Sequence, residues 1–428
     1  MRFSTPAHAW DWWRSLGAPR FVAAPMVDQS ELAFRTLCRE LGVGLCYTPM
    51  LHARLMTEVR TYQDLHFDAG SAADRPLFGQ LAGHDPQVVL AAARLIEQDV
   101  DAVDLNFGCP QAIARKGRYG AFLLEEPGVP VSLVETLARE LSVPVTAKLR
   151  ILPDDAGLGQ TIELCQQMQE AGAALLCLHG RTRMQNKQLS GVSNWDAIKQ
   201  LVEAVDIPVI ANGGIGSYED AEACLAHTGA AAVMSSEALL ENPALFCRNR
   251  DAHTGAYIDQ DALAQRYLKI CEEQPPSKGL SMSRGHVFKL VHGGLRQQPH
   301  LRDEILLTQS TAELHTVCSR LAEVGWTQPR FHTDAFDPAH SWYFRYRQTQ
   351  QQQPQPHPPA SASSEPSQQP HAVGAHAAPL TRDQAAATAL EKRDRKRADS
   401  RRRRDRRDAS RRQQEAVAHA NRLANGGS

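Results

Sequence analysis

The sequence lacks the cysteine spacing of a zinc site or of a disulfide framework. Its nine cysteines are an odd number, they are scattered along 428 residues, and no two of them form a CxxC pair. Zinc sites and small disulfide-rich folds need cysteines at close and regular spacing. We therefore expect reduced thiols, a reducing compartment and no metal.

A long apolar run is also lacking. No segment approaches the roughly 20 apolar residues of a membrane-spanning helix. The N-terminal stretch MRFSTPAHAWDWWRSLGAPR carries tryptophans and charges where a signal peptide needs a continuous apolar core. These absences predict a soluble cytoplasmic protein, or a nuclear one if its basic C-terminal segment acts as a localisation signal. We also expect a monomer.

The net charge is close to zero, at −1, but the charges are unevenly placed. Residues 391–412 hold 13 Lys or Arg against 5 Asp or Glu, and the rest of the chain holds 34 against 43. An acidic body therefore carries a basic arm, which is typical of proteins with an anionic partner such as RNA. A nuclear-localisation signal and a merely solvated charged helix are the other interpretations of this arm.

Eight short apolar runs alternate with helix-like segments over residues 21–237. Such alternation predicts right-handed crossovers and a parallel sheet, and eight repeats of this length fit an α/β fold of the (β/α)₈ TIM barrel type. An open doubly wound sheet is the alternative, but no GxGxxG turn follows the first run. The runs are FVAAPMV, LCYTPM, PLFGQLAG, AVDLNFG, VPVTAKLR, LLCLHGR, IPVIANGGI and AAVMSS.

Beyond the barrel the composition changes twice. Apolar residues first follow helical spacing without a strand signal, and a later stretch rich in Gln, Pro, Ala and Ser cannot bury enough surface to offset its ordering entropy. Capping signals inside the barrel mark helix starts at Ser30, Asp85 and Ser217. The predicted parts are an N-terminal extension (1–20), the barrel (21–250), a small helical domain (255–330), a disordered Pro/Gln-rich linker (347–380) and a basic, helix-forming tail (381–428).

Active sites of (β/α)₈ barrels lie at the carboxyl ends of the strands, so the residues there are the candidates. Four basic side chains suit an anion, amides suit the edge of a heterocycle, and a glycine pair lets backbone N–H groups approach a phosphate. The set favours a phosphorylated planar cofactor over a metal, because a carboxylate pair for a hard cation is lacking. Taken singly, each residue also has a structural interpretation, such as an ion pair or a turn. The set comprises Lys148, Arg150, His179 and Arg181; Gln80, Asn106 and Asn212; and Gly213 and Gly214.

Cys109 follows the fourth run directly, in DLNFGCPQ, between a glycine and a proline. A lone cysteine is more often a small buried hydrophobe. Its place just past a strand end, however, is where an enzyme of this architecture keeps its chemistry. Gly108 beside it would leave space for a substrate to enter.

These motifs resemble those of the tRNA-dihydrouridine synthases, which are flavin-dependent reductases of uridine in transfer RNA. The similarity runs from about residue 21 through the helical segment, and CYTPM, GCPQ and YGAFL look most like the subfamily that acts on positions 16 and 17 of the D-loop. The matching stretches are APMVDQSELAFR, CYTPML, FGQLAG, DLNFGCPQ, KGRYGAFLL, AKLR, LHGRT, IANGGI, ENPALF and FKLVHGGL.

The resemblance implies a barrel that binds FMN, a helical domain that helps to hold tRNA, and NADPH or NADH as the reductant. Many members have a Gly-Arg pair where this chain has Ser236 and Glu237, so backbone donors near these two residues would have to bind the cofactor phosphate. The other residues that the resemblance places on FMN are Pro25, Met26, Val27, Gln80, Lys148, His179, Asn212, Gly213 and Gly214.

The resemblance also gives Cys109 a role as proton donor. A hydride from flavin N5 would add to uracil C6, and the thiol, with an ordinary pKa near 8.5, would protonate C5. The target uridine would have to leave its stack to reach the flavin. The residues predicted to contact the nucleotide or its phosphates are Asn106, Lys116, Arg118, Tyr119, Arg150 and Arg181, with a solvated loop as the alternative for Lys116, Arg118 and Tyr119.

Two other functions remain open on the sequence alone. One is an FMN barrel reductase that acts on a free pyrimidine-type substrate, although the basic arm and the helical segment argue against a small molecule. The other is a catalytically inactive barrel that serves as a tRNA-binding scaffold. The presence of Cys109, Lys148 and His179 argues against an inactive barrel.

Overall fold

The structure is a computed structural model that describes residues 5–69, 72–153, 157–324 and 341–344. All of them belong to one structural unit, Met1–Pro354. The predicted linker (347–380) and basic tail (381–428) lie outside the described residues. None of the described helices is long and apolar enough to cross a membrane.

The strands form a closed parallel barrel, as the sequence predicted. β1 pairs with β2 and with β9, β2 pairs with β4, and each later strand up to β9 pairs with the next, which closes a ring of eight. The short β3 continues the line of β2 along β4. The strands are β1 (Phe21–Ala23), β2 (Leu45–Tyr47), β3 (Leu51–His52), β4 (Leu77–Ala82), β5 (Ala102–Phe107), β6 (Val145–Ile151), β7 (Ala173–Thr182), β8 (Val209–Asn212) and β9 (Ala232–Ser235).

The strand register aligns the polar residues of neighbouring strands. Gln80 pairs with Asp104, and Asn106 pairs with Lys148. Because side chains alternate between the two faces of a strand, residues two apart share a face. One continuous polar patch therefore lines the inside of the barrel toward its carboxyl end. It includes Gln80, Asp104, Asn106, Thr146, Lys148, Arg150, His179 and Asn212.

Helices surround the ring, and local capping explains where several begin. The Asp85 side chain accepts from the N–H groups of Gln87 and Val88, and Ser217 accepts from Asp220, as predicted. The barrel helices are α1 (Pro6–Ser15), α2 (Leu32–Glu40), α3 (Ala53–Glu58), α4 (Arg60–His66), α5 (Pro86–Arg94), α6 (Ala112–Gly117), α7 (Gly128–Glu140), α8 (Gly157–Glu170), α9 (Trp195–Ala204), α10 (Tyr218–Thr228) and α11 (Glu237–Glu241).

The predicted start of α2 at Ser30 is wrong. Ser30 exchanges hydrogen bonds with the backbone of Met26, and the helix begins at Leu32 after Glu31. The serine therefore stabilises the turn after β1 instead of capping the helix. Glu31 lies in the protein interior, where its carboxylate accepts hydrogen bonds from the helical segment that follows the barrel.

Within the predicted N-terminal extension, α1 contributes to the core. α1 places Trp13 in the interior, and the Trp12 ring stacks on Phe78 of β4 with centroids 5.5 Å apart. Trp10 Nε1 donates to the backbone oxygen of Asp206, 2.8 Å away. Tryptophans bury large areas and dominate such contacts, so α1 packs firmly against the strands.

A helical segment follows the barrel, as predicted, and packs on the loop after β1. The Glu31 carboxylate is buried and accepts from Tyr267 Oη at 2.7 Å and from His286 Nε2 at 3.0 Å. Arg266 also pairs with Glu40 of α2. The helices are α12 (Gln260–Glu273), α13 (Leu280–Leu290), α14 (His292–Gln297), α15 (Pro299–Leu307) and α16 (Thr311–Glu323).

Candidate active site

A cavity of about 880 Å³ opens at the carboxyl end of the barrel. All eleven residues that the sequence predicted for the cofactor line it, and so do Cys109, Asn106, Arg150 and Arg181. Their placement agrees with the prediction, whereas their roles stay predictions. The eleven are Pro25, Met26, Val27, Gln80, Lys148, His179, Asn212, Gly213, Gly214, Ser236 and Glu237.

The loop that carries Cys109 is held from several sides. Asn106 Oδ1 accepts from the backbone N–H of Gly108 at 3.1 Å and from that of Cys109 at 3.0 Å. Arg150 Nε donates to the Gly108 carbonyl at 2.8 Å, and Ala121 N–H donates to the Cys109 carbonyl at 3.1 Å. The half-buried thiol therefore has a fixed position at the cavity wall.

Burial raises the pKa of the Cys109 thiol above its ordinary value, and the nearby cations Arg150 and Lys148 oppose the shift only in part. Low solvation disfavours the thiolate, which is the charged form. The sulfur is therefore protonated at neutral pH. A protonated thiol is a proton donor, and it is a poor nucleophile.

Lys148 and Asn212 form the next part of the wall. Asn212 Nδ2 donates to the Met234 carbonyl at 2.9 Å, which turns its Oδ1 toward Lys148 Nζ, also at 2.9 Å. Burial lowers the pKa of the Lys148 ammonium. A buried ammonium with a neutral partner is well suited to an anionic or carbonyl ligand that restores its solvation.

His179 is held in one tautomer. Arg181 Nη1 lies 3.1 Å from His179 Nε2, and because a guanidinium only donates, Nε2 is the acceptor. The proton of the neutral ring is therefore on Nδ1. Gly213 sits against the same ring with φ +105°, and a Cβ there would lie 2.7 Å from His179 Cδ2. Only glycine fits at that position.

The two buried arginines also hold the backbone of the site. Arg150 Nη1 donates to the Thr182 carbonyl at 3.0 Å, and Arg181 donates to the carbonyls of Ser190 and Gly191. Burial, with Arg181 as a second cause, lowers the pKa of Arg150 to about 10. Their predicted contact with tRNA stays a prediction, and the structure adds a loop-holding function for both.

Three other predicted tRNA contacts do not line the cavity. Lys116 is on α6 beside the site, and Arg118 follows that helix and pairs with Glu126 at 3.2 Å. Tyr119 is 5% exposed and packs in a small apolar cluster with Ala82. Lys116 and Arg118 therefore lie outside the cavity, whereas Tyr119 supports the loop from behind.

The cavity has one wall that comes from far along the chain. Residues 341–344, which we call the C-terminal strap, place Trp342 and Tyr343 on its lining. The buried Glu241 carboxylate accepts from Ser341 Oγ at 2.6 Å and from the backbone N–H groups of Trp342 and Tyr343, both at 2.9 Å. Three donors on one buried carboxylate stabilise the strap on the barrel.

The sequence reasoning missed the strap, Glu241 and Asp104. Asp104 lies inside the quoted DLNFGCPQ motif, and an acidic residue in the middle of a buried run is a signal that could have been followed. Glu241 and the strap are about 100 residues apart, and neither segment has a local pattern that points to the other.

Comparison with known proteins agrees with the motifs. The Dihydrouridine synthase (Dus) family matches residues 22–323. A Rattus norvegicus protein is 44% identical over 296 residues, 69% of this chain and 65% of that protein. A Saccharomyces cerevisiae protein is 40% identical over 303 residues, which are 69% of this chain and 71% of that protein. A Schizosaccharomyces pombe protein is 37% identical over 308 residues, which are 71% of this chain and 76% of that protein.

All three proteins carry "tRNA-dihydrouridine(16/17) synthase" and "NAD(P)(+)" in their names. The chain spans 65% of the length of the rat protein and 60% of that of a Mus musculus protein with the same identity. The family match covers more than half of the chain, including both the barrel and the helical segment. The chain therefore belongs to the dihydrouridine synthase family.

Proposed function

We propose that this protein reduces uridines of tRNA, at positions 16 and 17 of the D-loop, to 5,6-dihydrouridine. The observation that carries the proposal is Cys109: a protonated thiol, fixed by Asn106 and Arg150, at the wall of a cavity lined by amides and cations. Relatives named tRNA-dihydrouridine(16/17) synthase support the choice of substrate.

The donor set of the cavity fits FMN. A planar polar edge needs side chains that both donate and accept; Gln80 would use its second N–H and its second lone pair, since the first of each contacts Asp104 and Asn106. An anionic or carbonyl group needs a cation, which Lys148 would provide. The backbone around Gly213 and Gly214, both at positive φ, would hold the phosphate region. Because Ser236 and Glu237 stand directly after β9 in place of a Gly-Arg pair, this chain would complete that binding with backbone donors near these two residues.

The hydride at uracil C6 would come from bound FMN after its reduction by NADPH or NADH. Cys109 then donates its Sγ proton to C5, and its raised pKa keeps that proton in place until it is needed. Gly108, which lines the cavity without a side chain, would lie beside the extruded base. tRNA is the partner that Lys116 and Arg118, beside the cavity, would contact.

The test of the proposal uses cells that lack this protein. We expect their tRNA to lose dihydrouridine at positions 16 and 17, and the wild-type gene to restore it. Cys109→Ala should restore little, with a single-turnover rate reduced by about 10²–10⁴-fold. Cys247→Ala, which changes the other half-buried cysteine, is the matched control and should behave like the wild type.

Two results would contradict the proposal. If Cys109→Ala reduced uridine at full speed, Cys109 would not be the proton donor. If dihydrouridine were unchanged in the depleted cells, uridines 16 and 17 of tRNA would not be the substrate. Turnover of free uridine at a rate equal to that of unmodified tRNA would favour the reductase of a free pyrimidine instead.

A further inference from the structure

Asp104 lies inside the barrel, directly below the cavity, and takes no part in the function proposed above. Its side chain has no exposure to solvent. Oδ1 accepts from Thr146 Oγ1 at 2.6 Å, and Oδ2 accepts from Gln80 Nε2 at 2.8 Å. An ionised carboxylate can only accept hydrogen bonds, so Gln80 must present its amino group to it.

This contact sets the orientation of two amides in series. With Nε2 turned to Asp104, Gln80 presents Oε1 to Asn106 Nδ2, 2.7 Å away. Asn106 then has its Oδ1 free for the backbone N–H groups of Gly108 and Cys109. One end of this chain of hydrogen bonds is a carboxylate that only accepts, and the other end is a pair of N–H groups that only donate, so both ends demand the same orientation of the two amides.

Holding a charge at this position costs the fold free energy. Burial raises the pKa of Asp104 to about 6, and hydrogen bonds from Thr146 and Gln80, with the charge of Lys148, keep it from rising further. The carboxylate is therefore ionised at neutral pH despite its burial. An apolar residue would pack there without this cost, which points to a function for the charge.

We propose that Asp104 is a positioning residue that fixes, through Gln80 and Asn106, the orientation of the loop carrying Cys109. The importance of this orientation for uridine reduction rests on the proposed function. The orientation itself does not, because it is measurable without substrate.

The test compares Asp104→Asn with the double variant Asp104→Asn/Gln80→Glu in the full-length chain. In the single variant the side chains at positions 104 and 80 can both donate and accept, so only the loop N–H groups at the other end still set the orientation of the amides. In the double variant the carboxylate introduced at position 80 is the acceptor-only group. It accepts from the amide introduced at position 104 and from Asn106 Nδ2, and Asn106 Oδ1 again faces the loop. Thr146→Val is the matched control, since it removes the other hydrogen bond to Asp104 and leaves the series of amides intact.

The main readout is hydrogen exchange at the amides of Gly108 and Cys109 at pH 8, supplemented by the alkylation rate of Cys109. We expect about tenfold loss of protection in Asp104→Asn with an unfolding midpoint no lower than that of the wild type, recovery in the double variant, and little change in Thr146→Val. Gln80→Met breaks the series of hydrogen bonds one link later and should reproduce the loss, which keeps the test decisive if Asp104→Asn does not fold.

Unchanged protection in both Asp104→Asn and Gln80→Met would overturn the inference, and so would a double variant that folds without recovering it. A loss of protection spread evenly over the barrel would assign Asp104 a merely structural role. Uridine reduction is measured separately on the same proteins. If the wild type does not reduce tRNA, the proposed function fails while the exchange data still decide the role of Asp104.

Discussion

Two glycines beside Cys109 have opposite surroundings. A Cβ on Gly108 would meet its nearest protein atom, the Lys148 carbonyl oxygen, at 3.7 Å, which is an ordinary contact. A Cβ on Gly120 would lie 2.7 Å from the Cys109 carbonyl oxygen, and Gly120 also has φ +72°. Gly120 is thus required by the fold, whereas Gly108 lines the cavity and has room for a Cβ in ordinary contact.

We expect Gly108→Ala to change the free energy of unfolding by less than about 0.5 kcal/mol and to raise the KM for tRNA several-fold. Gly120→Ala should cost about 1–3 kcal/mol, because it combines positive φ with a steric clash. Denaturant unfolding and steady-state kinetics on both variants check this. Equal stabilities of the two variants, or an unchanged KM in Gly108→Ala, would contradict the explanation.

Asp104 predicts a specific pH dependence of stability. Its pKa is about 6 in the folded protein, against an ordinary value near 3.9 in the unfolded chain. Because folding raises the pKa of this acid, its protonated form is favoured in the folded state. Its contribution to stability is complete below about pH 4 and is lost as the pH rises through about 6, by about 3 kcal/mol at most.

Asp104→Asn removes that contribution, so the stability of the wild type relative to the variant should fall between about pH 4 and about pH 7. The charged and titratable groups nearest to Asp104 are Lys148, Tyr47 and Cys177, and both proteins contain them. Denaturant unfolding at several pH values measures the difference. If the free energy of unfolding of the two proteins changed in parallel between about pH 4 and about pH 7, Asp104 would not titrate in that range.

At the scale of elements, the C-terminal strap depends on one short helix. Glu241 ends α11 and is 2% exposed, and the strap contacts it through a hydroxyl and two backbone N–H groups. Tyr343 also rests on the loop before α10, where its ring would touch a Cβ placed on Gly216 at 2.7 Å. The carboxylate is therefore the polar anchor of that wall.

Glu241→Gln replaces one accepting oxygen by a donor that faces other donors. We expect about tenfold faster hydrogen exchange at the amides of Trp342 and Tyr343, with the amides of the barrel strands unchanged. Glu222→Gln, which alters an exposed glutamate paired with Arg20, is the control. Unchanged exchange at the strap in Glu241→Gln would show that Glu241 is not its anchor.

The elements show where sequence reasoning succeeds. The caps of α5 and α10 were predictable, because Asp85 and Ser217 bond to N–H groups two or three residues away. The helix start at Ser30 was not, because Glu31 is drawn into the interior by Tyr267 and His286, more than 230 residues later. Local hydrogen bonds are encoded locally, whereas contacts between distant elements leave no pattern in a short window.

For the whole molecule, the barrel itself followed from the alternation of strands and helices, and the candidate site followed from the strand ends. All the predicted cofactor residues line one cavity because parallel strands bring their carboxyl ends to one edge. The position of α1 against Phe78 and the return of the strap could not be predicted. Both depend on contacts between segments that are far apart in the sequence and meet only in the folded chain.

The strap has a consequence for the biosynthesis of the protein. Chains leave the ribosome from the N-terminus, and domains fold in that order. All the strands of the ring precede residue 236, so the ring can close while the ribosome is still translating the codons for Trp342 and Tyr343. The nascent barrel therefore passes through a stage in which the cavity lacks the wall formed by Trp342 and Tyr343, and the FMN proposed above would have its widest entry at that stage.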